Sequence, residues 1–498
     1  MIMNAAATLL EKGNPERIAL ACGTERVTYE ALRESTARAA AAWRRRGIAR
    51  GERVAIKLPD GYPWVSAFLG TIWAGGVAVA VNPRISAEDW QFILGERPFR
   101  YILAESREET PLAFRDRVLT LEEWLREGKD VTPIAAEAVA EDAPAFWTHS
   151  SGTSGRPKAV MHAHRFALRV ESVADEILGL RADDRLFASS KLFFSYPLGN
   201  SLFAGLKLGA TVILDPQWPT AASVEATIAA QKPTVFFSVP SLYRNLLKAG
   251  FAPRLVRHGV RICVSAGEAL PASLREEWRK QTGISIVNGY GASETLALVL
   301  INRGEGENLE PAPGVDIQGP DTHGDGGPTR IRIQAPTLAL GYWNRPDADA
   351  ENFHDGAFCP ADLFERVAAN AWRFAGREDS LVKIRGRWVN LIELEERLAG
   401  CCPSIVEAAT ISFPDDDGVA AIAFFYVLKP DAPADATSVL RAYAETLPHY
   451  QRPRWLQSVA ALPRTATGKL LRRALRALHQ PRGAESTGID PDRNLVAG

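Results

Sequence analysis

Short apolar runs rich in β-branched residues recur along the first part of the chain, at Val54-Ala55-Ile56, Val77 to Val81, Thr211 to Leu214, Val235 to Val239 and Ile262 to Ser265, with stretches of helical spacing among them. One such stretch runs from Glu30 to Arg46 and is closed by Gly47. Strands that are apolar without alternation must be covered on both faces, which parallel sheets flanked by helices achieve. The pattern therefore predicts an α/β fold. Around Gly376 the chain turns polar and charged. Beyond it a shorter unit is expected, with a helix over Leu391 to Leu398, strands near Ala408 to Phe413 and Ala421 to Leu428, and a helix over Ser438 to Leu447.

At 498 residues, 46% hydrophobic and 23% charged, the chain can build two or more domains with sizeable cores. A net charge of −1 gives no basic field for nucleic acid, so any phosphate affinity must come from local sites. Cys22, Cys263, Cys359, Cys401 and Cys402 are odd in number and scattered, which disfavours a disulfide framework and fits a reducing compartment. Adjacent Cys401 and Cys402 read as small hydrophobes rather than a redox pair. The first residues lack a basic segment and reach Glu11 and Lys12 early, so no signal peptide is expected. The longest uncharged stretch, Gly61 to Asn82, is broken by glycines, Pro63, Ser66 and Thr71, and reads as a buried helix feeding a strand rather than a membrane span. A cytoplasmic location is expected, and Leu495-Val496-Ala497-Gly498 is no peroxisomal ending.

The run Thr148-His149-Ser150-Ser151-Gly152-Thr153-Ser154-Gly155-Arg156-Pro157-Lys158 suits a polyphosphate. Glycines let backbone approach an anion, successive N–H groups and hydroxyls donate to its oxygens, and Lys158 adds a compact positive charge. Only Arg156 and Pro157 separate Gly155 from Lys158, so this is not the Walker spacing. Alone, such a run is a solvated turn in most proteins. Val287-Asn288-Gly289-Tyr290-Gly291-Ala292-Ser293-Glu294-Thr295 follows a strand pattern over Ile284 to Val287, so its polar residues are expected at a strand's carboxyl end, where α/β folds bind ligands. Tyr290 can stack on a base, Ser293 can donate to a phosphate and Glu294 can hold Mg²⁺ through a hard carboxylate oxygen. His149, His162 and His164 lie close in sequence, but no cysteine or carboxylate completes a zinc set, and His164 reads as a packing or hydrogen-bonding residue.

Further segments follow in order: Ser265-Ala266-Gly267-Glu268, Asp362, Gly376-Arg377-Glu378-Asp379 leading to Lys383-Ile384-Arg385-Gly386, and Pro463 to Lys469. With these the chain resembles, over nearly its whole length, the adenylate-forming superfamily of acyl- and aryl-CoA synthetases, adenylation domains and luciferases. The resemblance implies a large N-terminal region of packed parallel-sheet subdomains, residues 1–378, and a small mobile α+β C-terminal domain, residues 379–498, pivoting at Asp379. It implies ATP bound by Ser150, Ser151, Gly152, Thr153, Ser154, Gly155, Gly267, Glu268, Tyr290, Gly291 and Ser293, with Asp362 accepting from the ribose hydroxyls and Arg377 assisting. A carboxylate attacking the α-phosphate brings two anions together, so positive charge is needed. Mg²⁺ on Glu294, with Lys158 and Lys469, would supply it, Lys469 bridging carboxylate and phosphate during adenylation only. This chain has Pro360-Ala361-Asp362 where the family usually has Thr-Gly-Asp, which keeps the acceptor and alters the turn that aims it.

After the pivot, the resemblance implies that Lys383, Arg385, Gly386 and Trp388 line a tunnel for coenzyme A, Gly386 leaving room for the pantetheine arm. Arg385 and Arg387, with Arg472, Arg473 and Arg476, could meet its phosphates or form a solvated basic face. Lys191 to Asn200, Gly209-Ala210-Thr211, Val239 to Tyr243 and Arg387-Trp388-Val389 look like the benzoate-CoA ligase branch. Tyr196 would then wall the acid pocket, with Ala266, Gly267, Tyr290 and Ala297 nearby. Amino-acid adenylation domains normally carry an aspartate in the first of these segments, and Lys191 to Asn200 has none. Ala297 stands where benzoate ligases tend to carry histidine, which implies a roomier or less polar pocket. The implied activity joins benzoate, a substituted benzoate or an alicyclic relative to coenzyme A, using ATP and Mg²⁺. The alternatives are an adenylating enzyme that loads a carrier-protein pantetheine, a short- or medium-chain acyl-CoA synthetase, and a catalytically silent binder. The partners are small molecules, not nucleic acid or membrane, and a homodimer is left open.

Overall fold

The computed structural model describes residues 1–96, 98–151, 156–302, 306–319, 327–378, 380–384, 387–414, 420–463, 470, 472, 474 and 475. They divide into two compact units, the larger from residues 1–319, 332–359 and 366–373, the smaller from 327–331, 360–365 and the chain from 374 onward.

The larger unit holds two big sheets. The first runs in the order Gly341–Tyr342, Pro157–Ala163, Pro144–Ser151, Val77–Ala80, Arg53–Lys57, Phe99–Ala104, Val118–Thr120. Its last five strands are parallel and its first two pairings antiparallel. The second sheet has six parallel strands at its centre, Ile286–Tyr290, Ile262–Ser265, Val235–Ser238, Arg185–Ala188, Thr211–Leu214 and Ile18–Cys22. Leu300–Asn302, Glu310–Pro311 and Glu25–Thr28 close its edges antiparallel. Val77–Ala80 and Val235–Ser238 are buried at every position, as strands covered on both faces must be.

The uncharged stretch at Gly61 to Asn82 becomes a helix and a strand. Pro63 occupies the first turn of helix Tyr62–Trp73, in which every residue from Trp64 to Ile72 is buried. A helix without a polar face belongs in an interior. It packs on helix Tyr29–Arg45, and a Cβ on Gly70 would lie 2.4 Å from the Cβ of Ala39, so only glycine permits this approach. Gly75, at φ 77°, then turns the chain into Val77–Ala80. Trp43, Trp64, Phe68, Phe146 and Phe203 centre the core built around these helices. No helix among the described residues is long and apolar enough to cross a membrane.

One strand differs from expectation. The pattern places it over Ile284 to Val287, whereas it runs over Ile286–Tyr290. Gly283, at φ 74°, ends helix Ala272–Thr282, and the Ile284 N–H donates to Thr282 Oγ1, so the next residues are spent on the turn. Asn288, Gly289 and Tyr290 are thus ladder residues and the open turn begins at Gly291.

In the smaller unit, strand Ala420–Leu428 pairs antiparallel with Ile405–Pro414 and parallel with Trp455–Ser458. Helices Leu391–Gly400 and Ala436–Thr446 set Leu394, Leu398, Leu440 and Ala444 against Phe424 and Tyr426, which gives the expected α+β unit. Asn390 caps the first helix by accepting from the N–H groups of Ile392 and Glu393. All five cysteines are free thiols.

Candidate active site

The glycine- and hydroxyl-rich run begins and ends in two paired antiparallel strands. Strands Pro144–Ser151 and Pro157–Ala163 pair with Ser150 opposite Lys158 and Ser151 opposite Pro157. Gly152, Thr153, Ser154 and Gly155, and the side chain of Ser151, lie outside the described residues. Lys158 is only 8% exposed, and its Nζ stands 5.0 Å from the centre of the Tyr342 ring. Tyr342 belongs to the next strand of the same sheet, paired with Val160. Its hydroxyl donates to Glu294 Oε1 at 2.6 Å. Burial, helped by the adjacent Glu294 carboxylate, drives the Tyr342 phenol well above its ordinary pKa, so it stays protonated and keeps donating.

Glu294 is 7% exposed and is held through its neighbours' backbone as well as its own side chain. The Ala339 N–H donates to the Glu294 carbonyl (2.8 Å), Thr337 Oγ1 to the Thr295 carbonyl (2.6 Å), and His162 Nε2 lies 3.0 Å from the Ser293 carbonyl. That contact fixes the proton of His162 on Nε2. Burial lowers its pKa to about 3, so the ring is neutral. The Leu340 and Trp343 N–H groups reach back to Met161 and Ala159, so segment 337–343 straps the turn at 291–297 onto strand Pro157–Ala163. Within that turn Leu296 adopts φ 61°, a strained value for a bulky residue, and a Cβ on Gly291 would lie 2.9 Å from the Ala297 carbonyl.

The segment expected to wall an acid pocket lies against the same turn. Ser195–Pro197 starts as α-helix and passes into a π-helical stretch, Leu198–Phe203, a geometry that often marks functional sites. Asn200 uses both ends of its amide, Nδ2 donating to the Tyr196 carbonyl and Oδ1 accepting from the Leu298 N–H, next to Ala297. Tyr196 is half-buried, donates to the Val264 carbonyl at 3.0 Å and packs in one cluster with Ala266. Ser195 Oγ donates to Thr148 Oγ1 at 3.0 Å, which ties this segment to strand Pro144–Ser151. Gly267 has φ 85°, and the Glu268 carboxylate accepts from the N–H and hydroxyl of Ser241. The structure thus sets Ser150 opposite Lys158, joins Lys158 to Glu294 through Tyr342, and joins Tyr196 to the Leu298 N–H, next to Ala297, through Asn200.

Asp362 and Arg377 belong to the smaller unit, with Arg377 Nη1 3.8 Å from Asp362 Oδ1. The Glu378 N–H donates to the Ala361 carbonyl and Arg330 Nε to the Pro360 carbonyl, which fixes the Pro360-Ala361-Asp362 turn. Lys383 and Trp388 face each other across the hairpin Leu381–Ile384 and Arg387–Asn390, with the Lys383 Nζ 5.6 Å from the Trp388 ring. Arg472, a candidate for coenzyme phosphates, is instead held inside this unit by the Glu395 carboxylate and the Thr410 carbonyl. Asp379, Arg385, Gly386, Lys469, Arg473 and Arg476 lie outside the described residues.

The profile of the AMP-binding enzyme family matches residues 9–343, and that of the AMP-binding enzyme C-terminal domain matches residues 393–469. This chain belongs to the AMP-binding enzyme family. It is 36% identical to a 3-hydroxybenzoate–CoA/4-hydroxybenzoate–CoA ligase of Thauera aromatica over 96% of this chain and 98% of that one. A benzoate–CoA ligase of the same organism is 33% identical over 86% of each chain. The crystal structure of a benzoate CoA ligase from Burkholderia xenovorans LB400 superposes with a TM-score of 0.82 at 31% identity, covering 95% of this chain and all of that one. Within the family frame, Tyr342, Thr337 and Asn200 are the residues the sequence motifs undervalue. Tyr342 follows a lone glycine in an otherwise unmarked turn, and only the pairing of its strand with Pro157–Ala163 carries it to Glu294.

Proposed function

We propose that this chain activates an aromatic carboxylic acid, benzoate or a ring-substituted benzoate such as a hydroxybenzoate, with ATP, and passes it to coenzyme A. In the first step a carboxylate oxygen attacks the α-phosphorus and pyrophosphate leaves. In the second the thiol sulfur attacks the acyl carbon, its proton is released and AMP leaves. The observation that carries this reading is the segment Lys191–Asn200, which has no carboxylate to pair a substrate ammonium, seated with Tyr196 beside strand Pro144–Ser151 through Ser195 and Thr148. The names of the relatives support the acid class.

Lys158 and the backbone of the glycine-rich run would hold the phosphates, and Tyr290 would stack on the base. Asp362, steadied by Arg377, would accept from the ribose. The buried Glu294 carboxylate, oriented by Tyr342, suits a hard divalent cation and would hold Mg²⁺, whose charge would offset that of the departing pyrophosphate. Lys469 would bridge the acid and the α-phosphate during adenylation. The lid would comprise residues 379–498 with its hinge at Asp379, and Lys383 to Trp388 would meet the pantetheine arm. The test is pyrophosphate release by the full chain over aromatic, alicyclic and short-chain acids, with and without coenzyme A. Aromatic acids are expected to give both pyrophosphate and the thioester. Adenylate without turnover of free coenzyme A would shift the acceptor to a carrier protein, and silence with every acid would defeat the proposal.

A further inference from the structure

The stretch leading into Tyr196 is tied to residues in or just past three strands. Lys191 Nζ donates to the Asp215 carbonyl at 2.5 Å, just past strand Thr211–Leu214. The Leu192 N–H points at the Asp60 carboxylate, 3.2 Å from each oxygen, just past strand Arg53–Lys57 of the other sheet. Ser195 is tied to Thr148 as described. The Asp60 tie joins residues 132 apart in sequence and is the one that uses a buried carboxylate. Such a group costs stability unless its oxygens are engaged. Burial pushes the Asp60 carboxyl up to about 7, with the Lys191 ammonium pulling it down. The other titratable groups near it are Asp215 and Cys22, with Arg84 and Glu25 acting on Lys191 and Cys22 in turn.

We propose that Asp60 is a positioning residue for the acid pocket: by gripping the Leu192 N–H across the two sheets, it sets where Tyr196 stands against the acid. This rests on the reading of the chain as an aryl-acid adenylating enzyme with Tyr196 on the pocket wall. Asp60 would touch neither reactant, so its loss should be felt in acid affinity and not in ATP affinity.

Acid-dependent ATP–pyrophosphate exchange by the full chain, with benzoate and 4-hydroxybenzoate, separates the two. Asp60→Asn keeps the shape but sets an amide N–H₂ near the Leu192 N–H. The KM for the acid should rise on the order of tenfold, the loss expected for a charge-assisted hydrogen bond, while the KM for ATP stays within about twofold. In the unmodified chain the acid KM should rise as pH falls through about 7, where Asp60 takes up its proton. That inflection should vanish in Asp60→Asn and move to higher pH in Lys191→Met. An unmodified chain without the inflection, or an Asp60→Asn that folds with unchanged acid KM or with equal shifts for acid and ATP, overturns the inference. Should Asp60→Asn fail to fold, the pH profiles of the unmodified chain and of Lys191→Met decide. A chain that exchanges no pyrophosphate with any aryl acid defeats the functional reading itself, whereas an active one lacking these effects defeats this inference alone.

Discussion

Lys158 in the larger unit and Lys383 in the smaller one each lie over an aromatic ring on an antiparallel strand pair, yet their settings are opposite. Lys158 is buried, and its aromatic partner Tyr342 is itself anchored to the buried Glu294. Lys383 is exposed, and Trp388 beneath it is 42% exposed. Charges held out of water interact strongly and need no reorganisation when a reaction develops charge beside them. An exposed cation–π contact is worth only about 0.5–1 kcal/mol and yields readily to an incoming ligand. On the proposed reading, the lysine that would meet phosphoryl charge is buried and the one that would meet the coenzyme is exposed.

The comparison is tested most severely by a third lysine. Lys469→Ala should lower adenylate formation by roughly 10²–10³-fold, the usual loss for a group that stabilises transition-state charge, while thioester formation from supplied acyl-adenylate continues. Single-turnover assays of each half-reaction would check this, and equal losses in both would contradict a lysine that serves adenylation alone. Glu294→Gln should cost on the order of 10²-fold in pyrophosphate release. It should also raise the Mg²⁺ concentration needed for half-maximal rate, which a purely structural Glu294 would leave unchanged. Tyr342→Phe removes the 2.6 Å bond to Glu294 but keeps the ring under Lys158. A loss of about tenfold is expected, since hydrogen bonds to charged groups contribute about 1.5–3 kcal/mol. Activity equal to the parent's would show that Glu294 is oriented by its other contacts.

The sequence makes the parallel sheets legible because Val77–Ala80 and residues 235–237 are apolar at consecutive positions in runs of strand length. The buried helix Tyr62–Trp73 is told apart by the greater length of its uncharged run. The motif residues Lys158, Glu294 and Tyr196 are visible because unusual local composition surrounds them. Tyr342 and Asp60 are not, because each acts through a partner made adjacent only by strand order. Tyr342 reaches Glu294 across 48 positions and Asp60 reaches Leu192 across 132. The strand limits at Ile286–Tyr290 were beyond pattern as well, since a hydroxyl on Thr282 decides where the ladder begins. Local periodicity reports what a residue's own element needs and carries no information about which strand end it will meet.

The smallest effect is expected at the exposed end of the comparison. Trp388 offers a face to solvent and an indole N–H close to Gly327, where an added Cβ would lie 2.9 Å from Nε1. Trp388→Ala therefore removes a stacking surface without opening a core, and aromatic contacts of this kind contribute about 0.5–1.5 kcal/mol beyond burial. The KM for coenzyme A should rise about three- to tenfold, with acid-dependent pyrophosphate exchange in the absence of coenzyme A unchanged. Because exchange reports only the adenylation half-reaction, a parallel loss there would mean that Trp388 supports the nucleotide or the small unit's fold, and the division of labour between the buried and the exposed lysine would have to be redrawn.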